Sequence, residues 1–173
     1  MHVIRYLSIS LFLLSCNNSG VDGQNAGGER TLFETEYVNH AWGFQYSGKM
    51  IDGEGIVSSY DPAKDSVAVL YHPDGYYSEQ ELMTKYEHAK KRITKVNSDS
   101  LVWSHELSVK VILNDMSDTM QIGADMGSVE YSVYIFRQDR SKYQKIVMRV
   151  DGDRTYHNRS ESAVTLVSWM KRY

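Results

Sequence analysis

Glu130-Tyr131-Ser132-Val133-Tyr134-Ile135-Phe136-Arg137 and Tyr143-Gln144-Lys145-Ile146-Val147-Met148-Arg149-Val150 are the stretches whose reading decides the fold. Tyr131, Val133 and Ile135 recur at every second position of the first, and Ile146, Met148 and Val150 at every second position of the second. A period of two places such residues on one face of a strand. The polar residues 138–142 between them form a turn, so the two stretches are read as a hairpin that ends at Asp151-Gly152-Asp153.

Working outward, Asn158-Arg159-Ser160-Glu161 is a capping pattern, and Ala163, Leu166, Val167 and Met170 follow at helical spacing, predicting a closing helix. Upstream, Ser78-Glu79-Gln80-Glu81 is a capping box, in which Ser78 and Glu81 each satisfy the other's backbone amide. Leu82, Tyr86, Ala89 and Ile93 continue it at helical spacing, so this helix is expected to reach about residue 95. Lys85, Lys90, Lys91, Arg92 and Lys95 fall on it and are read as a solvated face. Another helix is expected from about Asp99 to Leu113, where Trp103, Leu107 and Val111 share a face, although Val109 and Val111 also suit a strand.

Nearer the N-terminus, Tyr37, Val38, Ala41, Trp42, Phe44 and Tyr46 make a strand-like aromatic stretch. Asp52-Gly53-Glu54-Gly55 is a hairpin turn between Met50-Ile51 and Ile56-Val57, and the returning strand ends at Asp61-Pro62. Val67, Val69 and Tyr71 suggest a short strand before the turn His72-Pro73-Asp74-Gly75. Strands, then helices, then a hairpin and a last helix argue for α+β: a small antiparallel sheet covered on one face by about three helices.

The 173 residues carry a formal charge of −3, with 42% hydrophobic and 24% charged residues, ordinary for one globular domain. A mildly acidic chain with dispersed basic residues lacks the electrostatic footprint of a nucleic-acid binder. Its single cysteine, Cys16, permits no internal disulfide, CxxC redox pair or thiolate zinc cluster.

Cys16 ends a short apolar run. Met1 to Arg5 carries a positive charge, Leu7 to Leu14 is mostly apolar, and small Ser15 precedes the cysteine. Those are the parts of a secretory signal, and the run is too short to span a bilayer. Leu13-Leu14-Ser15-Cys16 resembles the lipobox of bacterial lipoproteins. That resemblance implies diacylglyceryl transfer to the Cys16 sulfur, cleavage before it, and a membrane as partner through the attached lipid. Asn17 in place of aspartate implies the outer membrane by the enterobacterial sorting rule. Residues 1–15 are thus read as signal peptide, 16–30 as the lipidated cysteine and a Gly/Asn/Ser-rich flexible linker, and 31–173 as one α+β domain. Asn39-His40-Ala41-Trp42-Gly43 and residues 158–170 also resemble segments of bacterial envelope lipoproteins, which implies no activity.

No motif names a reaction. Beyond His2 in the signal, His40, His72, His88, His105 and His157 show no HExxH spacing, and neither GxSxG nor SxxK occurs. Asp52 with Glu54 and Asp151 with Asp153 sit where turns need such residues and do not continue into an EF-hand. Residues 123–127 are not a phosphate-binding loop. Asp65-Ser66-Val67, Asp99-Ser100-Leu101 and Asp118-Thr119-Met120 match a short O-glycosylation signal of exported proteins. No catalytic residue, metal ligand or cofactor is assigned. Trp42, Phe44, Tyr46, Tyr76 and Tyr77 are the candidate ligand-binding residues, as an aromatic platform for sugar or peptide, against the simpler reading that they are core.

These features lead us to expect a non-catalytic lipoprotein domain that binds a protein, peptide or glycan in the bacterial cell envelope. The alternatives are an envelope hydrolase acting on a wall or glycan substrate, which would need His40, His72 and Asp74 close together, and an inhibitor or immunity-type lipoprotein.

Overall fold

A computed structural model of the chain describes residues 31–41, 43–61, 72–86 and 91–173. The expected hairpin is its centre: β7 (Ser128–Arg137) and β8 (Lys142–Gly152) pair antiparallel from Ser128↔Gly152 to Arg137↔Lys142, with a bulge between Tyr131 and Ser132. Beside β7 lies β1 (Thr31–Asn39), which pairs on its other side with β2 (Gln45–Ile51). β2 returns through Asp52-Gly53-Glu54-Gly55 to β3 (Ile56–Tyr60). In that turn the Asp52 carboxylate accepts the Glu54 and Ile56 amides, and Gly55 takes the positive φ of 78°.

The remaining strands are short. β4 (Tyr76–Tyr77) pairs with the start of β8, and β5 (Lys91–Lys95) lies on β3. β6 (Met120–Gln121) pairs with β9 (Arg154–His157), which lies on the end of β8. The result is a nine-stranded antiparallel sheet of order β5-β3-β2-β1-β7-β8-β9-β6 with β4 alongside β8, where a small sheet was expected. One added strand replaces helix: α1 (Glu79–Tyr86) was expected to run through Ile93, but Ile93 lies in β5 instead. β3 would otherwise present an unpaired edge, and pairing it overrides the helical spacing of the sequence. The outermost strands are poor templates for further pairing: β5 carries exposed Arg92 and Lys95, and β6 is two residues long. The expected strand around Val67, Val69 and Tyr71 falls outside the described residues.

Alternation along β1 separates two layers, because successive side chains leave a strand on opposite faces. Phe33 enters the main core with Val57, Val133, Ile146 and Met148 of the sheet and with Leu166, Trp169 and Met170 of α3 (Glu161–Met170). Trp169 meets Phe33 edge-on at 5.0 Å and donates its indole N–H to Ser100 Oγ at 2.8 Å, which ties α3 to α2 (Ser98–Ser108). The α3 start is as read from the sequence, with Ser160 as N-cap accepting from Ala163 N. Glu34 and Glu36 point to the other face, which α1 covers through Leu82 and Lys85. Helices therefore lie on both faces, not on one. The Ser78–Glu81 capping box forms as expected, with Ser78 N donating to Glu81 Oε2 at 2.6 Å and Glu81 N to Ser78 Oγ at 3.2 Å.

α2 mixes polar and apolar residues on both sides: Leu101 and Leu107 pack against the main core. Its buried residues are Ser104, His105 and Ser108, whereas Val102 and Trp103 are exposed. The two serine hydroxyls are satisfied within the helix, by Leu101 O and His105 O, each at 2.7 Å. The helix ends earlier than expected, at Ser108 rather than near Leu113, because Val111 turns back into the core. His105 stacks parallel to Phe33 at 5.8 Å, and its buried Nε2 has no hydrogen-bond partner among the described residues.

Burial pushes the His105 pKa below its ordinary value of 6.5. The unfolded chain therefore binds a proton that the folded chain resists, so stability is full above pH 6.5 and falls as the pH drops below it. The slope from this residue is at most about 1.4 kcal/mol per pH unit. Urea titrations at pH 7.5 and 5.5 check it: His105→Phe is expected to lose less stability between the two than the parent chain.

Candidate functional site

The densest collection of chemically capable side chains lies between α1 and the sheet. Glu34 and Glu36 stand two residues apart on one face of β1, and the Lys85 ammonium of α1 descends between them. Lys85 Nζ is 2.8 Å from Glu34 Oε1, 2.9 Å from Glu34 Oε2 and 2.7 Å from Glu36 Oε2. Tyr60 donates to Glu34 Oε1 at 2.5 Å, Tyr134 to Glu34 Oε2 at 2.7 Å, and Tyr46 to Glu36 Oε2 at 3.1 Å. Lys85 is 2% exposed and Glu34 1%. A buried charge is tolerable only when paired and fully hydrogen-bonded, and this cluster meets that condition.

Gly48 on β2 makes room for one of these donors. A Cβ there would overlap the Tyr60 ring and the Thr35 carbonyl, so the absent side chain is what lets Tyr60 lie across the strand toward Glu34. Tyr46, Tyr60 and Tyr86 form a chain of rings 5.9 Å apart. The buried Tyr86 hydroxyl has no hydrogen-bond partner of good geometry among the described residues.

The electrostatics follow from the packing. Burial alone would raise the Glu34 pKa, but the charges of Lys85 and Lys145, with hydrogen bonds from Lys85 and Tyr60, outweigh it and bring the carboxyl down to about 2. For Lys85, burial favours the neutral amine, yet Glu34 and Glu36 hold it above its ordinary value and charged. Tyr46, Tyr60 and Tyr134 are pushed upward, first by burial and then by the carboxylates, so they remain donors.

The polar layer continues across the sheet. Lys145 of β8 lies over the Tyr134 ring at 5.7 Å and pairs with Glu130 at 2.7 Å, and Glu130 also accepts from Ser132 Oγ at 2.7 Å. Lys145 and Tyr156 line a cavity of about 270 Å³ with Leu113, Asn114 and Met116, on the stretch of β8 edge between β4 and β9. A larger open groove of about 520 Å³ runs beside α1. Its apolar lining is Leu32, Met50, Leu82, Met83, Tyr86 and Tyr143, with Glu79, Gln80 and Thr84 at polar positions.

The five aromatic candidates do not share one surface. Trp42 lies outside the described residues, as does Cys16. Phe44 is 47% exposed, between His40 at 5.3 Å and Tyr46 at 6.1 Å, but Tyr46 is 1% exposed because its hydroxyl serves Glu36. Tyr77 is buried against Tyr134, and Tyr76 is half-buried under the Arg140 guanidinium at 4.4 Å. Register places the two groups apart: Tyr76 pairs with Gln144, Gln144 with Ile135, and Ile135 with Thr31, whereas His40 and Phe44 follow the last residue of β1. At about 3.3 Å per strand residue that separation is roughly 25 Å. His72, 4.7 Å from the Tyr77 ring and 3.2 Å from Glu81, is on the Tyr76 side, far from His40. Among the described residues, no group of three or more His, Cys, Asp or Glu side chains is placed to hold a metal ion.

Lys85 also corrects the sequence reading of a solvated basic face. Its position between Leu82 and Tyr86 on the same helical stripe was the available signal, matched by the Glu34-x-Glu36 spacing on a strand.

Removing Lys85 leaves two buried carboxylates facing each other, so Lys85→Ala is expected to lose about 3–5 kcal/mol. Glu34, with its pKa depressed from 4.5, contributes stability that is full above pH 4.5 and lost as pH falls toward about 2. Glu34→Gln is therefore expected to be less stable at pH 7 and to show a shallower fall between pH 4.5 and 2, both read from denaturant titrations.

Comparison with known proteins finds no matching family model, no similar curated protein and no similar solved structure.

Proposed function

We propose that this chain is a bacterial envelope lipoprotein, held at a membrane by lipid on Cys16, whose folded body binds a protein or peptide segment without transforming it. The anchor rests on the signal-like residues 1–15 and the lipobox Leu13-Leu14-Ser15-Cys16, with Asn17 favouring the outer membrane. The binding role rests on one contrast. The charges of Glu34, Glu36 and Lys85 are almost wholly buried and paired with one another, whereas the adjacent groove beside α1 is open and mostly apolar. A concave apolar surface with a few polar groups suits an apolar side chain and its flanking backbone.

One wall of the groove is α1, which is held to the sheet through Leu82 and Lys85. The hydrolase reading loses its histidine pair, since His40 and His72 stand at opposite ends of the sheet. An inhibitor or immunity-type lipoprotein would use the same kind of surface as a binding domain.

Two measurements test the two halves. Wild-type chain is expected in the membrane fraction of expressing bacterial cells and Cys16→Ala in the soluble fraction; equal partition of both would end the anchor reading. A photocrosslinking residue at exposed Met83 in the anchored chain is expected to give a discrete adduct, weakened several-fold by Leu32→Glu. The same residue at exposed Asp118 is expected to give none. Equal adducts at both positions, or none at either, would remove the groove from the binding role.

A further inference from the structure

The outward face of α2 and the segment after it is the largest anomaly on the surface. Val102, Trp103, Val109, Ile112 and Leu113 are all exposed, with Trp103 at 38%, while the same helix buries Ser104, His105 and Ser108. Ordinary amphipathic packing would put the large apolar side chains inward. Here Ser104, His105 and Ser108 share the inward positions with Leu101 and Leu107, and five large apolar residues in twelve positions are turned to the outside, with exposed Glu106 and Lys110 among them. Apolar exposure of this density marks a surface with a counterpart.

The position of the chain start narrows what that counterpart is. β1 begins at Thr31, which pairs with Ile135, and Ile135 pairs with Gln144. Gln144 lines the same cavity as Leu113 and Asn114. Gln144 is thus level with the first residue of β1 and two strand spacings away, about 10 Å, and the apolar segment ends across the cavity from it. α2 itself sits over that strand, with His105 stacked on Phe33. Residues 16–30 span at most about 50 Å when fully extended. With lipid on Cys16, the bilayer is therefore a surface within reach of this face.

We infer that Val102, Trp103, Val109, Ile112 and Leu113 form a membrane-contacting face that seats the body against the lipid surface holding its own anchor. The inference rests on the Cys16 anchor proposed above. Trp103 suits the bilayer interface, where an amphipathic ring settles at headgroup level. The exposed Lys110 lies among the apolar residues and can reach lipid phosphates. Seated this way, the domain would have a fixed orientation, with the rest of its surface turned to the aqueous side.

Trp103 itself reports the contact. Full-length lipidated protein carrying Trp42→Phe is reconstituted into phosphatidylethanolamine/phosphatidylglycerol vesicles, with or without bromine atoms on the acyl chains; Trp169, fully buried, is the internal reference. Emission is expected to drop in brominated vesicles, the drop to vanish in Trp103→Phe, and Val109→Ser with Ile112→Ser to shrink it at least two-fold. Protein that floats with the vesicles yet shows no bromine-dependent loss overturns the membrane face and leaves the anchor standing; the apolar face would then belong to a protein partner. Protein that does not float overturns the anchor, and this inference with it.

Discussion

One ammonium group between two carboxylates organises the α1 side of the molecule. Without Lys85, α1 would rest on the sheet through Leu82 and the aromatic rings around it, and β1 would bury two like charges at its centre. With it, α1 is fastened to a middle strand of the sheet at three oxygen atoms. The tyrosines complete the arrangement, since each carboxylate has more lone pairs than one lysine can fill. That demand explains why this layer is rich in tyrosine rather than phenylalanine, and why Gly48 stands beneath the ring of Tyr60.

The hairpin of β7 and β8, the Asp52–Gly55 turn and the helix from Ser160 were legible because each depends on neighbours in the chain: alternation, turn chemistry and capping. The size of the sheet was not. β1 was read only from Tyr37 onward, because in Leu32-Phe33-Glu34-Thr35-Glu36 one face carries two glutamates and is explained only by an ammonium 49 to 51 residues away. β5 was hidden for a related reason. Ile93 fits the helical stripe begun by Leu82 and Tyr86, and it is the free edge of β3, invisible locally, that takes it as strand. Among the site residues, Tyr46 and Tyr77 follow the simpler reading that such aromatics are core, whereas their service to buried carboxylates and rings was not visible.

Sealed chemistry and open surface divide the molecule's tasks. Glu34, Glu36 and Lys85 are buried in holding α1, and the exposed features are a groove and the outward face of α2. α2 sets Ser104, His105 and Ser108 beside Leu101 and Leu107 on its inner side, and the α1 layer sets an ion pair among tyrosines.

The two outer strands carry a consequence of a different kind. Edge-on encounters between sheets are how open strands polymerise. Exposed Arg92 and Lys95 on β5 repel a second β5, and the two residues of β6 offer too little backbone to extend a ladder. The sheet can thus be wide and open-ended without becoming the seed of a fibre.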